Sequence, residues 1–521
     1  MSDLSRREFL LSMATVPFLS LRLPQLVQAA TAPAATAPAA QDGAGQPNII
    51  ILLYDTFSAH HISVQGYERQ TTPNIARLAE SATVFHNHYA GGNFTSPGTA
   101  SLLTGLYPWT HRAIQNYSHT LESLGSNNLF ALLPESYHKV AYTHNGLAST
   151  LLHQFRPDIT GLIPRRELTL ADALWSDTIF PNDYPVSIHT ERLFQGQSRS
   201  SPAFMAAINK VYRNLRTRQM NAQYADEVPR GLPGGDINSL YAIYILDNVT
   251  DWTAEQAASL NNPFAMYVHV LPPHGPYRTR HDFVDVFDDG WRPADKPESV
   301  FSTGVSPDVL AHQRRMYDEF VGYVDAEVGR LFAKFEANGT LDNTIVILTS
   351  DHGEMFERGI LGHGTFSLYD PVIHIPLMIW RPGQTERVDV YERTSAVDVL
   401  PTLLHATGQP IPELVEGAIL PTFSDAAADS ERSIFALEAK TNSKFTPLSK
   451  RSVAFYQGDY KLTSYLGYPK LPAEGLYELY NLANDPEERE NLMATDTATA
   501  AAMVEQLAQK LEEVNGPFRR G

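Results

Sequence analysis

Three apolar runs without polar alternation constrain the fold of this chain most. They cover residues 48–54, 264–270 and 344–349. A strand with one wet face alternates apolar and polar residues, so an unbroken apolar run is typical of a strand buried on both faces, as in a parallel sheet. Helical patterns lie between the runs, the longest at 307–338. The sequence therefore predicts a doubly wound α/β sheet.

The first and third runs are followed by side chains that suit a metal ion. Asp55 follows the first run, and Asp351 and His352 follow the third. Ligands of open α/β sheets collect at the carboxyl ends of the strands, and carboxylate oxygens with an imidazole nitrogen bind several divalent cations. The two strand ends converge only if the strands are neighbours. The alternative for Asp55 is a cap on the next turn.

A hydroxyl-rich stretch at 93–105 has the sequence NFTSPGTASLLTG. Its proline and small residues, followed by apolar ones, predict a loop that delivers Thr95 to the start of a helix. Free N–H groups at a helix start attract anions, so Thr95 is a candidate nucleophile toward a sulfate or phosphate group. The alternative is an ordinary capped helix start.

Three histidines near the ends of the second and third runs are further candidates. His274 lies on a proline-rich turn just after the second run, where it suits a general acid or anion ligand because its pKa is near neutral. His269, near the end of that run, and His363, between two glycines, are candidate substrate-binding residues. A lone histidine on a turn is also common as a plain surface residue.

Composition restricts the class of function. The 521 residues are 43% hydrophobic and 19% charged, with a formal net charge of −18 and no cysteine. This is typical of a globular chain with one large domain and a smaller one. It argues against nucleic-acid binding, which needs concentrated Lys and Arg, and it excludes disulfides and a cysteine nucleophile. A small anionic substrate stays compatible, since a pocket can be locally positive.

The N-terminus predicts export. Residues 5–11 are SRREFLL, a twin-arginine pattern, ahead of an apolar stretch that two prolines and an arginine interrupt. That stretch is too short for a stable transmembrane span. We interpret residues 1–30 as a signal for the twin-arginine translocation machinery, cleaved near Ala29 or Ala30, and expect a periplasmic or secreted protein. The alternative is an accidental arginine pair before an uncleaved anchor.

The remaining chain divides by composition and pattern. Residues 31–46 are rich in Ala, Pro, Thr and Gly and predict a disordered linker. We place a catalytic domain at 47–415 and a C-terminal subdomain at 416–521. Residues 153–261, which show one clear amphipathic helix at 204–220, are interpreted as an insertion that shapes the substrate entrance.

Taken together, these motifs resemble the sulfatase family of the alkaline phosphatase superfamily. The resemblance implies a mixed, mostly parallel central sheet flanked by helices, with a smaller C-terminal antiparallel sheet plus helix. It implies one divalent metal ion held by Asp55, Thr95, Asp351 and His352, with Thr95 as nucleophile and His274 beside the leaving group or the anion. The similar stretches are 47–55, 72–79, 95–105, 273–277, 342–354, 398–404, 459–462 and 478–488.

The chain departs from the family pattern around the nucleophile. Sulfatases carry C-x-P-x-R or S-x-P-x-R, whose first residue becomes formylglycine, whereas Thr95 and Thr99 occupy those positions here. Threonine cannot give that aldehyde, so we expect no formylglycine. Thr56 replaces a frequent second metal-binding Asp, and a family lysine is replaced around His144 and Asn145. Thr99 and Asn145 are therefore candidate substrate-binding residues, and the reduced positive charge disfavours dianionic phosphate monoesters.

The resulting hypothesis is an exported hydrolase or transferase that acts on a monoanionic ester through Thr95. The ester is phosphodiester-like or a sulfate ester, carried by a small molecule, a glycan or a lipid head group. Ca, Mg, Mn and Zn all suit the ligands. Two alternatives stay open: a sulfuric ester hydrolase with water as nucleophile, and a non-catalytic member that binds an anionic glycan or lipid.

Overall fold

The computed structural model describes residues 45–170, 203–234, 243–424 and 431–519. The predicted signal peptide, the linker up to residue 44 and part of the 153–261 segment lie outside the described residues. The division at residue 415 stays a prediction.

An eight-stranded sheet has the first apolar run at its centre. Strand β1 (Asn48–Tyr54) pairs in parallel with β6 (Phe264–Val270) on one side and with β7 (Thr344–Thr349) on the other. The three apolar runs are thus direct neighbours, which explains why none of them alternates. Across the sheet the strands lie in the order β11 (Val388–Val390), β2 (Thr83–Phe85), β10 (Leu377–Trp380), β7, β1, β6, β4 (His138–Thr143) and β5 (Gly161–Leu162).

The sheet is mixed and mostly parallel, as predicted. Only β10 runs antiparallel to its two neighbours among these described strands. Helices cover both faces and bury opposite residues of β1, with Ile50 and Leu52 on one face and Ile49 and Ile51 on the other. The helices are α1 (Pro73–Leu78), α2 (Thr95–Thr104), α3 (Pro108–His111), α4 (Leu129–Leu132), α5 (Gly146–Gln154), α6 (Ala203–Gln223), α7 (Leu246–Ser259), α8 (Pro307–Ala337), α9 (Asp370–Ile373), α10 (Val399–Ala406) and α11 (Thr497–Asn515).

A smaller antiparallel sheet with a helix follows, also as predicted. The last helix, α11, buries Met503, Leu507 and Leu511 against this sheet. No helix within the described ranges combines the length and apolarity that a bilayer crossing requires. The sheet comprises β13 (Ile434–Glu438), β14 (Arg451–Gln457), β15 (Tyr460–Leu466) and β16 (Leu476–Asn481), and two short pairs join β3 (His88–Tyr89) to β12 (Thr394–Ser395) and β8 (Phe356–Glu357) to β9 (Ile360–Leu361).

Candidate functional site

The carboxyl ends of β1, β6 and β7 bring four buried polar side chains together. His352 Nε2 lies 3.4 Å from Asp55 Oδ1 and 3.6 Å from Asp351 Oδ2. His269 Nε2 lies 3.4 Å from Asp55 Oδ2 and 3.8 Å from Asp351 Oδ2. The strand ends of Asp55 and Asp351 therefore converge, because β1 and β7 are neighbours.

The same four side chains fit a divalent cation. Asp55 Oδ1, Asp351 Oδ2, His269 Nε2 and His352 Nε2 are buried and have no hydrogen-bond partner within the part of the chain that the structure describes. Buried polar atoms are normally paired, so four orphaned atoms around one point indicate a ligand. Burial and the nearby Asp55 carboxylate raise the pKa of Asp351, as expected for two carboxylates that need a positive charge between them.

Outer contacts orient the two imidazoles. The His352 Nδ1–H donates to the Gly353 carbonyl oxygen at 3.0 Å, and His269 Nδ1 lies 3.1 Å from the Tyr267 hydroxyl in a hydrogen bond. Such bonds on one ring nitrogen leave the other nitrogen for a metal. Burial lowers the pKa of His352, and the neutral imidazole is the form that binds a cation. We grouped His269 with the substrate residues from sequence, whereas the geometry puts it among the candidate ligands.

Thr95 stands at the edge of this cluster. It is the first residue of α2, as predicted, and it is buried. Asn145 Nδ2 donates to Thr95 Oγ1 at 3.1 Å and to Asp55 Oδ2 at 2.5 Å, so one amide joins the hydroxyl to the carboxylate. Asn145 is itself fixed, because its Oδ1 caps α5 by accepting from the Leu147 N–H at 2.7 Å. Thr99 lies one turn further along α2 and is also buried.

Close packing of α2 on the third strand end depends on Gly98. A Cβ at this position would lie 2.1 Å from the Asp351 carbonyl oxygen, well inside van der Waals contact. Glycine thus allows the helix that carries Thr95 to approach the Asp351 backbone directly. The sequence places this residue in the middle of the hydroxyl-rich stretch.

His274 and His363 lie together beside the cluster. Their ring centroids are 5.1 Å apart, and the His363 ring is 4.4 Å from that of His352. His363 Nδ1 pairs with Glu354 Oε1 at 2.9 Å. Burial lowers the pKa of His363 but the Glu354 carboxylate raises it, and the net shift is upward. Asn93 holds the loop of His363 by donating to the Thr365 carbonyl oxygen at 2.8 Å.

Lys440 is a neighbour of the site that sequence reasoning missed. Its Nζ lies 4.6 Å from the ring centroid of Phe94, the residue before Thr95. Its charge also acts on His363, whose pKa it lowers. Lys440 follows β13 of the C-terminal sheet, some 345 residues from Thr95 in sequence, and no motif surrounds it. The sequence therefore contains no motif or spacing that links Lys440 to Thr95.

Comparison with known proteins assigns the family. The family model described as Sulfatase matches residues 47–158 and 179–409. The chain belongs to the sulfatase family. A second family model, N-sulphoglucosamine sulphohydrolase, C-terminal, matches residues 362–516 of this sulfatase.

Individual relatives place this sulfatase among ester hydrolases. Choline-sulfatase of Rhizobium meliloti (strain 1021) is 24% identical over 86% of this chain and 82% of its own. Phosphonate monoester hydrolase of Agrobacterium radiobacter shares the fold, with a TM-score of 0.65, 20% identity and coverage of 90% and 96%. So does BT4656 in complex with its substrate D-glucosamine-2-N,6-O-disulfate, with a TM-score of 0.62, 18% identity and coverage of 91% and 98%. The protein is a sulfatase-like ester hydrolase.

Proposed function

We propose that this sulfatase cleaves a monoanionic ester, phosphodiester-like or a sulfate ester, with Thr95 as its nucleophile. The observation that carries the proposal is the bridge from Asn145 Nδ2 to Thr95 Oγ1 and Asp55 Oδ2. It holds a hydroxyl beside the four orphaned ligand atoms, where a nucleophile for a metal-assisted displacement is needed.

The proposed cofactor is one divalent ion, Ca, Mg, Mn or Zn. Asp55, Asp351 and His352 would hold it together with the Thr95 hydroxyl, and the position of His269 Nε2 supports a further ligand role for that residue. When bound, the ion supplies positive charge that lowers the pKa of the hydroxyl and offsets the negative charge of the group being transferred.

In the proposed reaction the Thr95 hydroxyl loses its proton to solvent water, and Thr95 Oγ forms a bond to phosphorus or sulfur while the bond from that atom to the leaving oxygen breaks. The leaving oxygen takes the bonding electrons, and His274 or His363 donates a proton to it. Water or an acceptor alcohol then attacks phosphorus, the bond from phosphorus to Thr95 Oγ breaks, and the proton lost by the attacking hydroxyl restores the Thr95 hydroxyl. A sulfated Thr95 lacks the second hydroxyl with which a formylglycine hydrate expels sulfate, which favours the phosphodiester-like substrate.

The charge of the site supports a monoanionic substrate. Thr99 and Asn145, neither of them charged, stand where the family carries an arginine and a lysine. Lys440, whose Nζ lies 4.6 Å from the ring centroid of Phe94, supplies positive charge beside the residue that precedes Thr95. Replacing the arginine and the lysine with neutral side chains weakens the electrostatic attraction for a dianion more than for a monoanion. The sulfated sugar bound by BT4656 supports a glycan or a similar head group as the carrier of the ester.

The test compares Thr95→Ala with wild type on metal-loaded protein, using bis(p-nitrophenyl) phosphate, p-nitrophenyl phosphate and p-nitrophenyl sulfate. We expect the diester to be the best substrate, Thr95→Ala to lose activity at least about 1,000-fold, and Thr95→Ser to keep part of it. Thr104→Ala is the matched control, since Thr104 is a buried threonine at the other end of α2 whose hydroxyl, among the described contacts, donates only to the Ala100 carbonyl oxygen.

Mass spectrometry of a quenched reaction then locates the transferred group. We expect an adduct on the peptide that contains Thr95. Full activity of Thr95→Ala would instead favour water as the nucleophile, and no turnover of any ester by metal-loaded wild type would favour a non-catalytic binding protein.

We further propose that the protein leaves the cytoplasm through the twin-arginine translocation machinery. The SRREFLL motif at 5–11 supports this route. Changing Arg6 and Arg7 together to lysine should retain the protein in the cytoplasmic fraction of a bacterial host. Arg22→Lys, the same change inside the apolar stretch, should leave export intact, and export of the twin-lysine variant would contradict the proposal.

A further inference from the structure

A second cluster of metal-ligand type lies outside the Thr95 site. His60 belongs to the 3-10 turn Ala59–His61 that follows β1. Asp370 is the first residue of α9, and His374 directly follows the last residue of that helix. Each of the three offers one ligand atom, and these atoms all lie within 4.8 Å of one another. None of the three takes part in the reaction proposed above.

Each of the two imidazoles has a ring nitrogen available to bind a cation. His374 Nε2–H donates to the His86 carbonyl oxygen at 2.8 Å, which leaves Nδ1 as the nitrogen with a lone pair to offer. His60 Nε2 is buried and has no hydrogen-bond partner among the described residues.

Two hydrogen bonds to one of its oxygens fix the carboxylate of Asp370. The Tyr456 hydroxyl donates to Asp370 Oδ1 at 2.6 Å and Lys461 Nζ donates to the same oxygen at 2.7 Å. Both bonds end on Oδ1, which leaves Oδ2 for a cation. Lys461 also pairs with Glu488 at 2.6 Å, so one ammonium is shared by two buried carboxylates.

Lys296 is a cation close to this cluster, and it is paired with carboxylates. Lys296, which faces His60, pairs with Glu357 at 2.9 Å and also with Glu487. His60, Asp370 and His374 line a cleft of about 700 Å³. Water from this cleft can complete the coordination of an ion that has three protein ligands, as in other sites with an open position.

We propose that His60, Asp370 and His374 bind a second divalent cation of the zinc type. Two imidazoles and one carboxylate are a ligand set that Zn²⁺ favours, whereas Ca²⁺ and Mg²⁺ prefer oxygen ligands alone. The ion would fasten the turn after Asp55 to the segment that supports the Asp351 turn. These segments already meet, since the Ala59 N–H donates to the His374 carbonyl oxygen at 3.1 Å and the Gly353 N–H to that of Val372 at 2.6 Å.

The experiment counts metal ions in full-length protein that has been stripped and reloaded with Zn²⁺, with Co²⁺ absorption spectra to identify the ligands. We expect two ions per chain in wild type and one each in His60→Gln, His374→Gln and Asp351→Asn. The double variant His60→Gln with Asp351→Asn should bind none. His281→Gln, at an exposed histidine, is the matched control and should bind two.

Protein stability gives a second readout. Zn²⁺ should raise the Tm of Asp351→Asn, and adding His60→Gln should abolish that rise. The proposal is overturned if His60→Gln and His374→Gln both keep the wild-type metal content and Co²⁺ spectrum. An ion that is lost in His60→Gln and kept in Asp351→Asn supports the second site even if the Thr95 site binds no metal, so the two proposals fail separately.

Discussion

Asn145 shows how much of this site depends on a single side chain. Its oxygen caps α5, while its nitrogen bonds both Thr95 and Asp55. The capping role fixes the side chain before any substrate arrives. Thr95, the proposed nucleophile, is therefore positioned by a residue that also caps a helix of the fold.

Replacing Asn145 with serine separates these two roles. Serine caps helices about as well as asparagine, so the free energy of unfolding should change by less than about 1 kcal/mol. It lacks the amide that aligns Thr95, so kcat/KM should fall about 100-fold, the usual cost of a misplaced reacting group. Steady-state kinetics and urea unfolding measure the two effects.

Asn128→Ser provides the matched control. Asn128 caps α4 in the same way, accepting from the Phe130 N–H at 2.9 Å, but it contacts no site residue among the described contacts. Its kinetics should match wild type. Equal kinetic losses in both variants would mean that helix capping, not alignment of Thr95, explains the effect.

Glu354 sets the protonation of His363. Its carboxylate raises the pKa of that imidazole, so protonated His363 persists to higher pH than an isolated histidine would. If protonated His363 assists the reaction, activity falls as pH rises through this pKa. Glu354→Gln removes the carboxylate and should shift the falling limb of the kcat/KM profile to lower pH. Glu505→Gln, on α11, should leave the profile unchanged, and an unshifted Glu354→Gln profile would exclude His363 as the titrating group.

At the scale of elements, the site depends on how closely α2 approaches the end of β7. The helix start carries Thr95, and the strand end carries Asp351 and His352. Gly98 faces the Asp351 backbone and permits the contact. A small change in the position of α2 therefore alters the distance between Thr95 and the candidate metal ligands Asp351 and His352.

Gly98→Ala tests this approach. The added methyl would overlap the Asp351 carbonyl oxygen, so helix and strand end must separate, at a cost of about 1–3 kcal/mol in the free energy of unfolding. We also expect weaker metal binding and lower kcat. Gly516→Ala, where the new Cβ would meet nothing within 4 Å, should be neutral in metal titration, kinetics and urea unfolding. Unchanged metal affinity in Gly98→Ala would contradict the proposed dependence on packing.

Strands and most helices could be predicted because their patterns are local. The three buried runs, the helix start at Thr95 and the long helix α8 each carry their signal within a few residues. The sequence could also place Asp55 and Asp351 at strand ends, but their convergence depended on β1 pairing with β7, which is a long-range event. His269 was predicted as a substrate-binding residue, and its position beside Asp55 could not be predicted because it depends on the pairing of β6 with β1.

At the scale of the whole molecule, we expect a bound cation to raise the free energy of unfolding. Asp55 and Asp351 are buried close together in a chain whose formal net charge is −18. A chelator should therefore lower the Tm as well as abolish activity. A site saturated at 100 times its Kd contributes about 2.7 kcal/mol to the free energy of unfolding.

Differential scanning calorimetry with and without chelator measures this linkage. The shift should be smaller in Asp351→Asn, which has lost a ligand, and activity should return when the cation is restored to wild type. An identical shift in wild type and Asp351→Asn would show that the Thr95 site contributes nothing to it. The cluster of His60, Asp370 and His374 was not predicted, since His60 lies about 310 residues before the other two and meets them only through tertiary folding.

The central position of β1 has a consequence for the order in which a ribosome makes this protein. Asp55 is synthesised early, His269 much later, and Asp351 and His352 only after two-thirds of the chain is complete. Because β7 pairs directly with β1, a nascent chain holds one edge of its central strand open until that point. A product that ends before residue 351 has Asp55 and His269 but neither Asp351 nor His352, so premature stops there should yield inactive fragments.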